Sequence, residues 1–221
     1  FLGRRMSAGF DVYSRFKEND EYDVERIGGG IRFGLPIREH TSLQLRYGIE
    51  QSESTLTGNA ANLPAGVLND IAAGAVITSS VGYTLTYNSV DSMNVPRDGE
   101  FLKITQDFAG LGGDVHYIRT LADARIYRQL HTDWDVVGLV GVKAGNITGI
   151  GEGVRSSDAF FKGGEAIRGF KSYGPYDNTS TGLIGGNNFW NATAEVNFPV
   201  WGLPESFGLR AAIFADAGSL W

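Results

Sequence analysis

One pattern recurs along the chain: apolar and polar residues alternate with a period of two. In residues 42–50, SLQLRYGIE, Leu43, Leu45, Tyr47 and Ile49 alternate with polar residues or glycine. This is the pattern of a strand with one apolar face, because a helix would repeat apolar residues every three or four positions. The same alternation predicts about nine strands, near residues 8–13, 26–35, 42–50, 81–88, 101–108, 116–127, 134–145, 189–199 and 208–218.

Helix signals are nearly absent, and only residues 64–75 are expected to hold a short helical turn. The segments between the strands fall into two groups. Residues 51–76 and 148–187 form long loops, whereas the turns at 36–41, 91–100, 127–133 and 199–206 are short. Short turns at one end of a sheet and longer loops at the other are typical of outer-membrane barrels.

The polar face of the strands separates a membrane barrel from a soluble β-sandwich, which would also show alternation. In a sandwich that face is solvent-exposed and usually rich in Lys and Glu. Here it mixes Gly, Ser, Thr, Asn and Asp with Arg, and aromatic residues lie near strand ends, at Phe10, Phe16, Tyr87, Trp134 and Trp190. A hydrated interior and aromatic girdles explain both features. The sequence therefore favours an all-β fold of antiparallel transmembrane β-barrel strands, with the soluble sandwich as the alternative.

Composition narrows the function classes. The chain has 221 residues, a formal net charge of -6 and no cysteine. Without a basic stripe, nucleic acid is not an expected partner. No apolar run approaches the ~18 residues of a transmembrane helix, and the first residues, FLGRRMSAGF, lack the features of a signal peptide. We therefore expect the chain to be the interior of a longer protein.

Residues 160–170, FFKGGEAIRGF, combine two aromatics, a double glycine and an arginine in an otherwise polar loop. They resemble the loop-six signature of the Omp85 superfamily, in which a Gly-Gly pair leads into Val-Arg-Gly-Phe or Val-Arg-Gly-Tyr. Arg168, Gly169 and Phe170 match that signature, and Ile167 replaces its valine. Residues 87–105, 185–200 and 209–221 also resemble family segments, in the expected order. The last of these contains Phe-x-Asp-x-Gly at 214–218.

The resemblance implies a domain organisation. Residues 1–221 would be part of an Omp85-type barrel domain of about sixteen strands, with loop six at about 148–187. The periplasmic POTRA domains that precede the barrel in this family are absent from this chain. The expected architecture is thus a partial barrel, taken from the central and later strands.

Counting by twos along the last two strands places Glu195 and Asp216 on the inner face, because a carboxylate facing lipid would cost a few kcal/mol. The resemblance implies that loop six folds back into the barrel, where Arg168 contacts either acid. The glycines Gly163, Gly164 and Gly169 would let the loop turn against the wall, and Phe170 would pack on it.

Function also follows from the resemblance. It implies an assembly factor that folds and inserts β-barrel proteins into the bacterial outer membrane. The expected partners are unfolded outer-membrane protein clients, accessory lipoproteins of the assembly machine and the lipid bilayer. The carboxylates lack a second chemical partner, and His40, His116 and His131 are widely spaced. We therefore predict no catalytic residue, no metal site and no cofactor.

Alternatives remain open at this point. A two-partner secretion pore and a TamA-like translocation pore belong to the same superfamily and share the arginine loop. A plain diffusion porin is an alternative of another class.

Overall fold

A computed structural model describes residues 6–19, 21–164, 166–170, 185–200, 202 and 208–221. In this part of the chain, nine strands form one antiparallel sheet in sequence order. The strands are β1 (Ser7–Glu18), β2 (Tyr22–Arg38), β3 (Thr41–Leu56), β4 (Val76–Asn88), β5 (Gly99–Gly113), β6 (Tyr117–His131), β7 (Val136–Gly149), β8 (Asn188–Pro199) and β9 (Arg210–Leu220). Between β3 and β4 lie a 3-10 turn (Ala60–Asn62) and one α-helix, α1 (Ala65–Ala73).

All nine predicted strands are confirmed, and most extend beyond their predicted ends. β2 begins at Tyr22, for example, because its first residues pair with the end of β3, with Tyr22 opposite Leu56. Hydrogen bonding to a neighbour keeps such residues extended even where charged side chains interrupt the alternation. The strands contain 11 to 17 residues, which meets the requirement of about 9–11 residues for a tilted strand to span a membrane.

The apolar face of the sheet points outward. Phe10, Val12 and Ile213 are 81%, 83% and 71% exposed, and the same face continues across the sheet with Ile49, Val140 and Trp190 among its exposed residues. Among the described residues, no second sheet packs against this face. A sandwich would bury it between two sheets, and so the soluble alternative is wrong. Within the same residues, no helix is long and apolar enough to cross a membrane.

The connections differ in part from the predicted pattern. β3–β4 and β7–β8 are joined by long loops, but β1 ends at Glu18 only shortly before β2 begins at Tyr22. β5 likewise runs to Gly113, close to β6. Near the end of β5, Gly110, Gly112 and Gly113 have positive φ values of 127°, 86° and 98°, a conformation that glycine adopts readily. Of the turn predicted at 199–206, residues 201 and 203–206 lie outside the described residues.

The segment between β7 and β8, residues 150–187, is called loop six below, and its residues 165 and 171–184 lie outside the described part. Its first half lies on the inner face of the sheet. There Phe160 joins a hydrophobic cluster whose other members are Ala109, Val115, Tyr117, Ile147 and Phe189. Phe160 and Gly186 exchange two backbone hydrogen bonds of 2.8 Å. The two halves of loop six are therefore joined beside β7 and β8, close to where residues 161–164 begin.

Candidate functional site

The inner faces of β8 and β9 present a compact block of four side chains. Thr193 lies opposite Asp216, and Glu195 lies opposite Phe214. Since side chains alternate along a strand, these two adjacent pairs point to the same side of the sheet. The structure thus brings together the two acids that the sequence predicts for the inner face, with a hydroxyl and an aromatic ring beside them.

Arg168 of loop six lies directly over this block. Its Nε and Nη2 donate to the two carboxylate oxygens of Asp216, each at 2.8 Å. Its backbone N–H donates to the same carboxylate at 3.0 Å. Nη2 also donates to Thr193 Oγ1 at 2.8 Å, and Nη1 donates to Glu195. This forked contact matches the planar guanidinium to a carboxylate, which a lysine could not do. We call Arg168 with these three wall residues the arginine pin.

The surroundings of the pin reinforce its charge pairing. The Arg168 guanidinium carbon lies 3.4 Å from the centre of the Phe214 ring, a cation–π contact. Asn197 donates to the second oxygen of Glu195 at 2.7 Å. The side chain of Asp216 is only 5% exposed, that of Arg168 38%. Hydrogen bonds from Arg168 to Asp216 first, and then to Glu195, raise the pKa of this arginine above its ordinary value. Arg168 therefore stays charged.

The loop reaches the wall through its glycines. Gly163 O accepts the amides of Ala166 and Ile167 at 2.7 and 2.8 Å, which closes a turn just before the arginine. A Cβ on Gly164 would lie 2.8 Å from the carbonyl oxygen of Phe170, and Gly169 has a φ of 88° that disfavours other residues.

Ile167 of loop six also packs against the wall, at Gly218. A Cβ on Gly218 would lie 2.7 Å from Ile167 Cδ1, and so the bare glycine makes room for this side chain. Phe170 borders a cavity of about 350 Å³ that Trp190 and Leu220 of the wall also line, and its ring is 57% exposed. The packing of Phe170 on the wall stays a prediction.

A polar cavity of about 340 Å³ adjoins the pin. Its charged lining combines three acids with three cations: Asp123, Glu195, Asp216, Arg125, Lys143 and Arg168. The pin carboxylates accept hydrogen bonds from the arginine, and Asp123 accepts two from Arg125. The pin acids, paired in this way, connect loop six to β8 and β9 and are already occupied by the arginine.

Sequence reasoning missed two parts of this region. It gave no role to Phe160, the buried aromatic that anchors loop six in the hydrophobic cluster. It also assigned residues 148–187 to one long loop without singling out Arg155, which is nearly buried and pairs with Asp70 on α1. A lone arginine after glycines carries no local signal of burial, and its partner lies in another loop.

Comparison with known proteins places the chain in a family. The Omp85 superfamily domain matches residues 1–221. The chain is 34% identical, over 97% of its length, to the outer membrane protein assembly factor BamA of Neorickettsia risticii. It is 27% identical over 96% of its length to BamA of Nitratidesulfovibrio vulgaris. It is also 29% identical, over 66% of its length, to the sorting and assembly machinery component 50 homolog A of Xenopus laevis.

The fold agrees with these relatives. A crystal structure of BamA from Haemophilus ducreyi that lacks POTRA domains 1–3 superposes with a TM-score of 0.82 at 18% identity, covering 98% of this chain and 46% of that chain. The chain spans less than a third of the length of the three curated relatives, at 29%, 26% and 32%. The nine strands thus match part of a larger barrel in these relatives, and the chain belongs to the Omp85 superfamily.

Proposed function

We propose that the protein to which this chain belongs is an assembly factor that folds and inserts β-barrel proteins into the bacterial outer membrane. The observation that carries the proposal is the similarity of nearly the whole chain to BamA of Neorickettsia risticii, at 34% identity; the arginine pin, in which Arg168 holds loop six against Asp216 and Glu195, supports it as the structural feature expected of the superfamily. The BamA relatives, which match nearly the whole chain, are named outer membrane protein assembly factors. We place the protein in the outer membrane on the same grounds.

The proposed activity is non-covalent. An unfolded client strand lowers its free energy by pairing with an exposed strand edge, because lipid cannot satisfy backbone N–H and C=O groups. A thinned bilayer beside the barrel lowers the cost of moving a client hairpin into lipid. Loop six contributes by fixing the wall formed by β8 and β9. The partners are unfolded outer-membrane protein clients, the lipid bilayer and accessory lipoproteins.

Packing on the inner face of the sheet argues against one alternative, the plain diffusion porin. A plain diffusion porin needs an open, hydrated passage, whereas loop six packs Phe160 into an apolar cluster with Tyr117, Ile147 and Phe189 on this face. That packing favours a barrel whose interior is occupied by its own loop. A two-partner secretion pore or a TamA-like translocation pore would retain such a loop, and so only activity separates them from an assembly factor.

The test uses the full-length parent protein in liposomes. The measurement is the rate at which an unfolded outer-membrane protein becomes protease-resistant, with wild type, Arg168→Ala or no added factor. We expect wild type to accelerate the client and Arg168→Ala to lose most of that acceleration. Arg32→Ala is the matched control, because Arg32 forms an exposed ion pair with Asp11 away from loop six.

Two outcomes would count against the proposal. If wild type gives no acceleration over bare liposomes but conducts ions, the protein is a secretion pore or a porin. If Arg32→Ala slows insertion as much as Arg168→Ala does, the pin has no special part in the activity.

A further inference from the structure

A second set of contacts also attaches loop six to the sheet, at a place far from the pin. Residues 155–158, Arg-Ser-Ser-Asp, form a single helical turn in which the amides of Asp158 and Ala159 donate to Arg155 O at 3.0 and 3.1 Å. We call this segment the anchor turn. It contacts α1 in the β3–β4 loop and the inner faces of β2, β3 and β6, and among the described residues none of these elements forms a hydrogen bond with the arginine pin.

Asp70 of α1 is the centre of these contacts. Its Oδ1 lies 3.5 Å from Arg155 Nε, and its Oδ2 accepts the Ser157 backbone N–H at 2.8 Å. The two charged side chains are 7% and 13% exposed. Gly66, one turn earlier in α1, lies so close to Ser156 that a side chain there would collide with the serine hydroxyl. The helix and the anchor turn are therefore closely packed around a nearly buried ion pair.

Three strands complete the anchor through hydrogen bonds. Arg155 Nη1 donates to Ser52 of β3 at 3.1 Å. Arg26 of β2 donates to Ser157 O, and Arg119 of β6 donates to Asp158 O, each at 2.6 Å. Charged donors to backbone carbonyls form stronger hydrogen bonds than neutral ones, and here they fix the main chain itself. The anchor turn thus has a defined position relative to four separate elements.

The anchor turn leads directly toward the pin. Phe160 follows it and bridges to Gly186, and the Gly163 turn then delivers Arg168 to the wall of β8 and β9. The forked contact of Arg168 with Asp216 tolerates little displacement, because both of its hydrogen bonds must align at once. A shift of the first half of loop six would therefore weaken the pin.

We propose that Asp70 and Arg155 are positioning residues for Arg168. They hold the first half of loop six against α1 and the opposite strands, so that the arginine meets Asp216 in register. This couples the β3–β4 loop to the pin. The importance of the coupling for client insertion rests on the proposed function, but the coupling itself is a property of the fold.

The test measures hydrogen exchange at the Arg168 end of loop six in the full-length parent protein, in detergent micelles. The readout is the exchange rate of the amides of residues 166–170, which include the Arg168 N–H bonded to Asp216. Breaking one partner of a buried ion pair is costly, and so we expect Asp70→Asn to speed exchange there by about tenfold. Asp70→Glu, which keeps the charge, should restore part of the protection.

Asp114→Asn is the matched control. Asp114 also accepts a backbone N–H, from Ile77 at 2.8 Å, but it has no hydrogen bond to the described residues of loop six. Its substitution should leave exchange at 166–170 at the wild-type rate. Equal exchange in Asp70→Asn and Asp114→Asn would overturn the proposal, and so would an Asp70→Asn effect spread evenly over all strands.

Ser52→Ala provides a milder variant if Asp70→Asn fails to fold. It removes one hydrogen bond to Arg155 and leaves the ion pair, and so exchange at 166–170 should lie between wild type and tenfold faster. A wild-type rate in a folded Ser52→Ala protein would contradict the anchor. Because exchange needs no client, faster exchange combined with an inactive wild type would reject the proposed function and keep the anchor.

Discussion

Loop six is attached to the sheet at two points, the pin and the anchor turn, which differ in burial and in hydrogen bonding. At the pin, every nitrogen of the Arg168 guanidinium donates to a wall residue, although the side chain is 38% exposed. At the anchor turn, Arg155 is only 13% exposed, but its Nε and Nη2 lack a hydrogen-bond partner among the described residues. The pin is complete and accessible, whereas the anchor is buried and incomplete.

The difference between the two points matters because burying a charge costs folding free energy. A charge removed from water must recover its lost hydration through pairing and hydrogen bonds, or the fold loses stability. The pin keeps part of that hydration and adds well-aligned partners. The anchor turn gives up more hydration and gains fewer bonds, with Asp158 Oδ2 also unpaired among the described residues. Hydrophobic packing of Phe160, between the two points, offsets that deficit.

The largest expected effect is therefore at Phe160. Phe160→Ala removes a ring that is 9% exposed and stacks edge-on against Phe189, with ring centres 4.8 Å apart. We expect the parent protein to lose about 3 kcal/mol of unfolding free energy in a denaturant titration. Phe161→Ala is the control, since that ring is 41% exposed and should cost about 1 kcal/mol or less. Equal losses would show that the cluster does not support loop six.

A smaller effect, of opposite sign, is expected at Asp158. Burial raises the pKa of this carboxyl, with the neighbouring arginines opposing the shift. A raised folded-state pKa means that stability is lost as pH rises through it, because the carboxyl must then ionise while buried. Asp158→Asn should thus stabilise the protein at pH 7.5 by roughly 1 kcal/mol.

The change in stability caused by Asp158→Asn, measured at two pH values, tests the sign of this effect. The advantage of Asp158→Asn should shrink at pH 4, where the wild-type carboxyl can hold its proton in the folded state. Unfolding free energies of both proteins at the two pH values give the result. A variant that is less stable than wild type at pH 7.5 would mean that the ionised carboxylate is needed by the arginines around the anchor turn.

An effect similar in size to that at Asp158, but destabilising, is expected where the loop touches the wall beside the pin. Gly218→Ala would place a methyl group 2.7 Å from Ile167 Cδ1 and 2.8 Å from the Trp190 carbonyl oxygen. Such overpacking should cost about 1 kcal/mol and loosen Ile167. Gly153→Ala, with open space around its Cβ, should stay within about 0.5 kcal/mol of wild type. Thermal unfolding of both variants measures the difference, and equal melting temperatures would argue against contact at Gly218.

The sequence predicted the strands well because each depends on a local, two-residue period. The inward facing of Glu195 and Asp216 followed from the same count, since a one-residue slip would turn them toward lipid. The contact of Arg168 with these acids came from the resemblance of residues 160–170 to a known loop. Nothing local in the sequence indicates that this loop folds back onto the wall.

The anchor turn was not predictable for a related reason. Asp70 and Ser157 are 87 positions apart, in two loops that lack periodicity. Their contact depends on how the sheet brings α1 over β3 and on Gly66 leaving room for Ser156. Tertiary packing of this kind is not encoded in alternation or in a short motif. The contact of Ile167 with the wall at Gly218 was likewise not predictable, because it depends on how loop six folds back onto β9.

The most direct test of the arginine pin is a double-mutant cycle on its two central residues in the full-length parent protein. The unfolding free energies of wild type, Arg168→Ala, Asp216→Ala and the double variant give the coupling between the two side chains. A forked contact predicts a coupling of at least about 1 kcal/mol, with the double variant less destabilised than the sum of the single ones. Arg168→Ala combined with Asp11→Ala, a distant acid, should be additive. Fully additive losses for Arg168 and Asp216 would contradict the account, because loop six would then not be held to the wall by this contact.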